Sequence, residues 1–141
     1  MCHERGVRLD ILGWQQETLA GGYAAAASVV ATGATAVISH NDPMAIGVMN
    51  GVRAMGFSIP DDLSVIGIDD SPLAQLAHPM LTSINVPMAR AGVISTDLVA
   101  QRTVDPDAAP RVIHLPTQLV VRGSTGPARD RVFGRTEDTA L

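Results

Sequence analysis

Apolar residues in this chain fall in short runs that stop abruptly at polar side chains. Two runs set the frame: Thr35-Ala-Val-Ile-Ser-His-Asn-Asp-Pro43 and Leu63-Ser-Val-Ile-Gly-Ile-Asp-Asp70. Each reads as a strand rich in β-branched residues that ends in hydrogen-bonding groups. In an open parallel sheet the ligand crevice lies at the carboxyl ends of the strands. Asn41-Asp42 and Asp69-Asp70 are therefore predicted to line one edge of a small-molecule pocket.

The pattern between these runs supplies the other elements. Val7–Leu12 reads as a strand closed by Gly13-Trp14. Gln16–Thr32 carries Leu19, Tyr23, Ala26, Ala27 and Val30 at helical steps, with Gly33 placed for a left-handed C-cap. Ala34–Ser39 is expected as a buried strand. Asp42-Pro43 then opens a helix, with Asp as N-cap and Pro at the first helical position, running to about Met55 and stopping at Gly56. Ile59–Asp62 is a turn and Leu63–Ile68 a strand. Pro72–Ala77 is a short helix or turn, and Leu81–Val86 is a strand ended by Pro87. Met88–Gln101 is a helix with Met88, Ala91, Ile94 and Leu98 on one stripe. A loop over Asp105–Pro110 follows, then short strands at Arg111–Leu115 and Gln118–Arg122, broken by Pro116. Alternation of strands and helices at these lengths predicts an α/β fold, a parallel sheet flanked by helices.

Composition narrows the class. A chain of 141 residues with 46% hydrophobic content can bury one sizeable core. From Ser124 onward the sequence turns to Gly, Pro, Arg, Asp and Thr. Residues 126–141 are read as a disordered tail, beyond a domain spanning 1–125. A net charge of −4 gives no basic footprint for nucleic acid. The single cysteine, Cys2, excludes an internal disulfide and favours a reducing compartment. No apolar run approaches the ~20 residues that span a bilayer, and the first residues lack an apolar leader region. A cytoplasmic protein without membrane contact is the expectation.

Catalytic and metal-binding signatures are lacking. Ser39, His40 and Asp42 are the residue types of a hydrolase triad, but neighbours at one strand end cannot converge, and no G-x-S-x-G elbow exists. His3, His40, His78 and His114 show no metal-ligand spacing. No nucleotide-binding glycine motif follows any strand. No enzyme, metal or cofactor is expected.

The polar strand ends each carry two readings. The Asn41 amide can donate to and accept from a sugar hydroxyl, or it can satisfy backbone groups at the helix start. The Asp69 carboxylate can accept two hydrogen bonds from a vicinal diol, or Asp69 and Asp70 can cap the turn into Pro72. Adjacent residues of an extended strand point oppositely, so at most one of the two acids faces the crevice, and the pattern itself leaves open which. Trp14 can stack on the apolar face of a sugar ring or close the rim.

Four segments carry a family resemblance: Ser39-His-Asn-Asp-Pro-Met-Ala-Ile-Gly47, Gly56-Phe-Ser-Ile-Pro-Asp-Asp-Leu-Ser-Val-Ile-Gly-Ile-Asp-Asp70, Pro79-Met-Leu-Thr-Ser-Ile-Asn85 and Leu115-Pro-Thr-Gln-Leu-Val-Val-Arg-Gly-Ser-Thr125. In this order they resemble the C-terminal part of a LacI/GalR-type transcriptional regulator, from roughly Val7 to Thr125. The resemblance implies a truncated piece of a type I periplasmic-binding-protein-like effector domain, most of it from one lobe, with no helix-turn-helix in this chain. It implies effector contacts at Asn41, Asp69, Trp14 and Met88, and a homodimer interface involving Ile46, Met49 and Leu76. It further implies a small sugar-like effector, and operator DNA reached only through a helix-turn-helix elsewhere in a parent protein. A sugar-binding component of a transport system shares the fold and is the alternative. The stripe Ala91, Ile94, Leu98 and the edge of Arg111–Leu115 would then lack their partner lobe, so association or a mobile C-terminal third is expected.

Overall fold

The computed structural model describes residues 6–129. Eight elements follow one another: α1 (Leu19–Ala31), β1 (Ala36–Ile38), α2 (Asp42–Ala54), β2 (Ser64–Asp69), α3 (Pro72–Leu76), β3 (Thr82–Asn85), α4 (Met88–Val104) and β4 (Gln118–Val120). The sheet order is β1-β2-β3-β4. The first three strands are parallel, whereas β4 runs antiparallel to β3. The sheet is therefore mixed rather than wholly parallel, because the chain after α4 returns along β3 from the opposite end.

Helix α2 is the centre of the core. Ala45, Val48, Met49 and Val52 from α2 enclose Val65 of β2, Leu63, Ala74 of α3 and Leu81, with Ala26 and Val29 of α1 behind them. The α1–α2 crossing is built on glycine. A Cβ on Gly47 would meet the backbone of Leu19 and Tyr23, one on Gly22 the backbone of Met44, and one on Gly51 the Ala26 side chain at 2.5 Å. Close approach of two backbones explains why the buried stripe of α1 is Gly21, Gly22, Ala25, Ala26 and Val29. The larger residues expected there, Leu19 and Tyr23, are pushed outward and are exposed.

Helix ends follow the expected logic with one exchange. Asn41, not Asp42, is the N-cap of α2: its Oδ1 accepts the Met44 N–H at 2.9 Å. Asp42 is already the first helical residue. Proline is tolerated anywhere in the first turn, so the Asn-Asp-Pro order alone fits either assignment. Gly33 and Gly56 close α1 and α2 with φ of 70° and 88°, the left-handed conformation that a side chain disfavours.

Three expected strands differ. Val7–Leu12 is not a strand, and Ile11 is 88% exposed. Ala34–Ser39 contributes only the three-residue edge strand β1, with Ile38 65% exposed rather than buried. Arg111–Leu115 forms no strand and has no ladder partners, and Val112 is exposed. The common cause is physical: a strand needs a neighbouring ladder, and neither Val7–Leu12 nor Arg111–Leu115 has one among the described residues, while β1 is open on its far edge. Helix α4 likewise buries no residue; Ala91, Ile94 and Leu98 are only half-buried.

Beyond β4 the chain fastens the other end of the sheet. Ser124 Oγ donates to the Val65 carbonyl at 2.6 Å and accepts the Thr82 N–H at 2.8 Å. Gly126 N–H donates to Ser64 Oγ, and Arg129 to Asp62 at 2.7 Å. The first residues of the expected tail are thus tied to β2 and the turn before it. Residues 130–141 lie outside the described residues.

Candidate functional site

The parallel register brings the polar strand ends to one level. Ile38 pairs with Ile66, and Ile66 with Thr82. Three residues further on, Asp69 and Asn85 pair directly, while Asn41 lies beyond the end of β1 at the N-cap of α2. All three sit at the carboxyl end of the sheet, where α2, α3 and α4 begin. Asn85 was not singled out from sequence, although Thr82-Ser-Ile-Asn85 has the same apolar-run-to-polar-end grammar as the two strands that were.

Asn41 serves two internal partners. Besides capping α2 through Oδ1, its Nδ2 donates to the Glu17 carbonyl at 3.1 Å, tying β1 to the approach of α1. An amide has two donors and two acceptor lone pairs, so one N–H and one lone pair remain beyond these bonds. Glu17 is also the partner of His40, whose Nε2 lies 3.4 Å from Glu17 Oε1. From the α1 side, Glu17 thus meets Asn41 through its backbone carbonyl and His40 through its carboxylate. Trp14, four residues before the α1 N-cap at Thr18, is 99% exposed. Met88, the first residue of α4, is 64% exposed.

Asp69 and Asp70 lie in different settings, within a local backbone distortion. Asp69 is exposed, and its φ is 104°; Asp70 follows at 52°. Non-glycine residues in such conformations cost roughly 1–3 kcal/mol each and persist where surrounding bonds over-determine them. Those bonds are on Asp70. Its Oδ1 accepts from Arg122 Nη2 at 2.6 Å, its Oδ2 accepts from Asn85 Nδ2 at 3.1 Å, and its N–H donates to Ser83 Oγ at 3.0 Å. Burial works against the charged carboxylate, but the hydrogen bonds from Arg122 and Asn85 and the charge of Arg122 outweigh it, and the Asp70 carboxyl is held below its ordinary value. Arg122 is engaged a second time, donating to the Leu81 carbonyl at 2.7 Å.

Asp42 is neither cap nor surface group. It is wholly buried, and it accepts the Ser71 N–H through Oδ2 and the Ser83 hydroxyl through Oδ1, each at 2.6 Å. The residues expected at a subunit interface lie in three different settings. Met49 is 1% exposed and part of the core, so it offers no surface; Ile46 is half-buried against the core; Leu76 is 79% exposed. Among the described residues no group of three or more His, Cys, Asp or Glu could hold a metal ion, and no helix is long and apolar enough to cross a membrane.

Polar groups gathered at the strand ends of a sheet, with α2 packed beneath, define the class: residues 1–125 match the model of the periplasmic-binding-protein-like domain, and the chain belongs to that family. Its relatives are LacI-type regulators. It is 36% identical over 111 residues to the HTH-type transcriptional regulator MalR of Streptomyces coelicolor, covering 79% of this chain and 32% of MalR. The HTH-type transcriptional repressor PurR of Vibrio vulnificus is 40% identical over 88 residues, covering 62% of this chain and 26% of PurR. Among solved structures, a LacI family transcriptional regulator from Enterococcus faecium with bound ribose superposes with a TM-score of 0.81 at 32% identity, over 91% of this chain and 49% of that one. The transcriptional regulator CelR in complex with cellobiose gives 0.80 at 30% identity, over 87% and 39%. The chain thus spans about a third of MalR and about half of the ribose-bound regulator. These relatives are regulators, not enzymes.

Proposed function

We propose that this chain is the second-lobe portion of the effector-sensing domain of a LacI-type transcriptional regulator. A small, sugar-like ligand lies along the carboxyl ends of β1, β2 and β3, contacting the spare N–H and lone pair of Asn41 and the exposed carboxylate of Asp69. The observation that carries this reading is the gathering of polar groups at one sheet end: Asp69 and Asn85 paired across β2 and β3, and Asn41 at the start of the helix that follows β1. The ribose and cellobiose bound by two structural relatives support the ligand class. Met88, exposed at the start of α4 after β3, is read as a further contact, and the exposed indole of Trp14 as a surface for stacking on a sugar face.

Ligand closure would shift the balance between two lobe arrangements and so alter operator binding by the parent protein, in the cytoplasm. DNA contact resides in a helix-turn-helix outside this chain, and pairing of two copies runs through the exposed Leu76 and the half-buried Ile46. A groove with one wall binds weakly, because the opposing contacts that enclose a sugar are absent. Calorimetry with ribose and with cellobiose is expected to give no micromolar affinity for this chain alone. Micromolar binding by the isolated chain would overturn the one-wall reading.

A further inference from the structure

Asp42 joins the ends of all three parallel strands without being exposed to any ligand. It opens α2 directly after β1, takes the Ser71 N–H beyond β2 on Oδ2, and takes the Ser83 hydroxyl of β3 on Oδ1. The same Ser83 oxygen accepts the Asp70 N–H at 3.0 Å. Gly67 leaves the space that the Asp42 carboxylate fills, since a Cβ there would collide with Oδ1. The two amides secured in this way, Asp70 and Ser71, are those that follow Asp69. Both Asp69 and Asp70 are held at positive φ, 104° and 52°.

We propose that Asp42 is a positioning residue: its buried carboxylate, relayed through Ser83, fixes the Asp69–Ser71 turn and so aims the Asp69 carboxylate along the groove. What that aim serves rests on the effector-binding reading above; the clamp itself does not. A carboxylate suits the position because both of its oxygens face donors. An amide there could keep Oδ1 toward the Ser71 N–H only by turning its NH₂ toward Ser83. The Ser83 hydroxyl would then lose its acceptor, and its oxygen would be shared between two donors.

The test is residue-resolved amide hydrogen exchange on the whole chain, with no ligand added, comparing Ser83→Ala and Asp42→Asn with the unaltered protein. Ser83→Ala is expected to speed exchange at Asp70 by roughly tenfold or more and at Ser71 by less, leaving Val48, Val65 and Ile66 unchanged. Asp42→Asn is expected to loosen Asp70 while keeping Ser71 within a few-fold of its original rate. Backbone three-bond couplings at Asp69 and Asp70 should change in both variants. Unchanged rates at Asp70 and Ser71 in both would overturn the proposal. So would a uniform acceleration across α2 and β2, which would mark Asp42 as a general support of the fold. Where Asp42→Asn fails to fold, Ser83→Ala carries the same decision. A failure of sugar binding would leave these rates untouched, so the two readings fail separately.

Discussion

Replacing Arg122 by alanine tests how the rim is held. The guanidinium and the Asp70 carboxylate are 12% and 13% exposed, so their bond is largely shielded from water. Arg122→Ala leaves Asp70 with Asn85 as its remaining side-chain donor and strips the Leu81 carbonyl of the Arg122 Nη1 bond. Removing one partner of a buried pair costs about 3–5 kcal/mol, and the residual exposure here argues for about 3. Asp70→Asn retains acceptor capacity without charge and should cost less, about 1–2 kcal/mol. Urea unfolding of the two single variants and of the double variant measures the coupling: the double variant is expected to lose clearly less than the sum of the singles. The pair also sets a pH dependence. Asp70 has a folded-state pKa below its unfolded value, so its contribution is fully present above the unfolded pKa and is lost as pH falls through the folded one. The stability gap between the parent and Arg122→Ala should therefore narrow in acid. A loss below about 0.5 kcal/mol at neutral pH, or strict additivity in the double variant, would refute the reasoning.

Two further outcomes follow from packing. Gly47→Ala should destabilise by about 1–3 kcal/mol, since its Cβ would strike the α1 backbone, whereas Gly92→Ala in α4, with nothing within 4 Å, should stabilise by up to about 1 kcal/mol; opposite shifts in urea midpoint are the check, and equal shifts would refute the close-crossing account. Because α4 buries no residue, its amides should exchange at least about tenfold faster than those of α2 unless two copies cover it. Uniformly slow exchange in a chain that light scattering shows to be monomeric would contradict this.

Local chemistry made much of the architecture readable. The β2 run is a mostly apolar stretch between a turn and two acids, and its strand formed within one residue of the expected limits. Gly33 and Gly56 marked helix ends because left-handed backbone favours glycine wherever it occurs. The expectation of polar groups at a common sheet end also held in geometry, since parallel register follows from the repeated strand-helix alternation. Val7–Leu12 and Arg111–Leu115 had apolar strand content but no ladder to join. Residues 19 and 23 had helical spacing, but the glycine crossing rotated the buried stripe away from them.

Sequence alone determined the succession of elements from α1 to β4, the family resemblance and which strand ends lead into Asn41 and Asp69, because periodicity, capping residues and turn residues act over a few neighbours; it also predicted strands at Val7–Leu12 and Arg111–Leu115 that did not form. Tertiary structure alone decided that Asn41 caps α2 and that Asp42 is the buried clamp. It also decided that Asp70 is the partner of Arg122, that Asn41 bonds the Glu17 carbonyl, and that Met49 belongs to the core. Those assignments depend on desolvation and on hydrogen bonds between residues far apart in the chain: Asp42 with Ser71 and Ser83, Asp70 with Arg122, Asn41 with Glu17. No local rule encodes a contact of that separation; it exists only once three strands and their helices have closed around it.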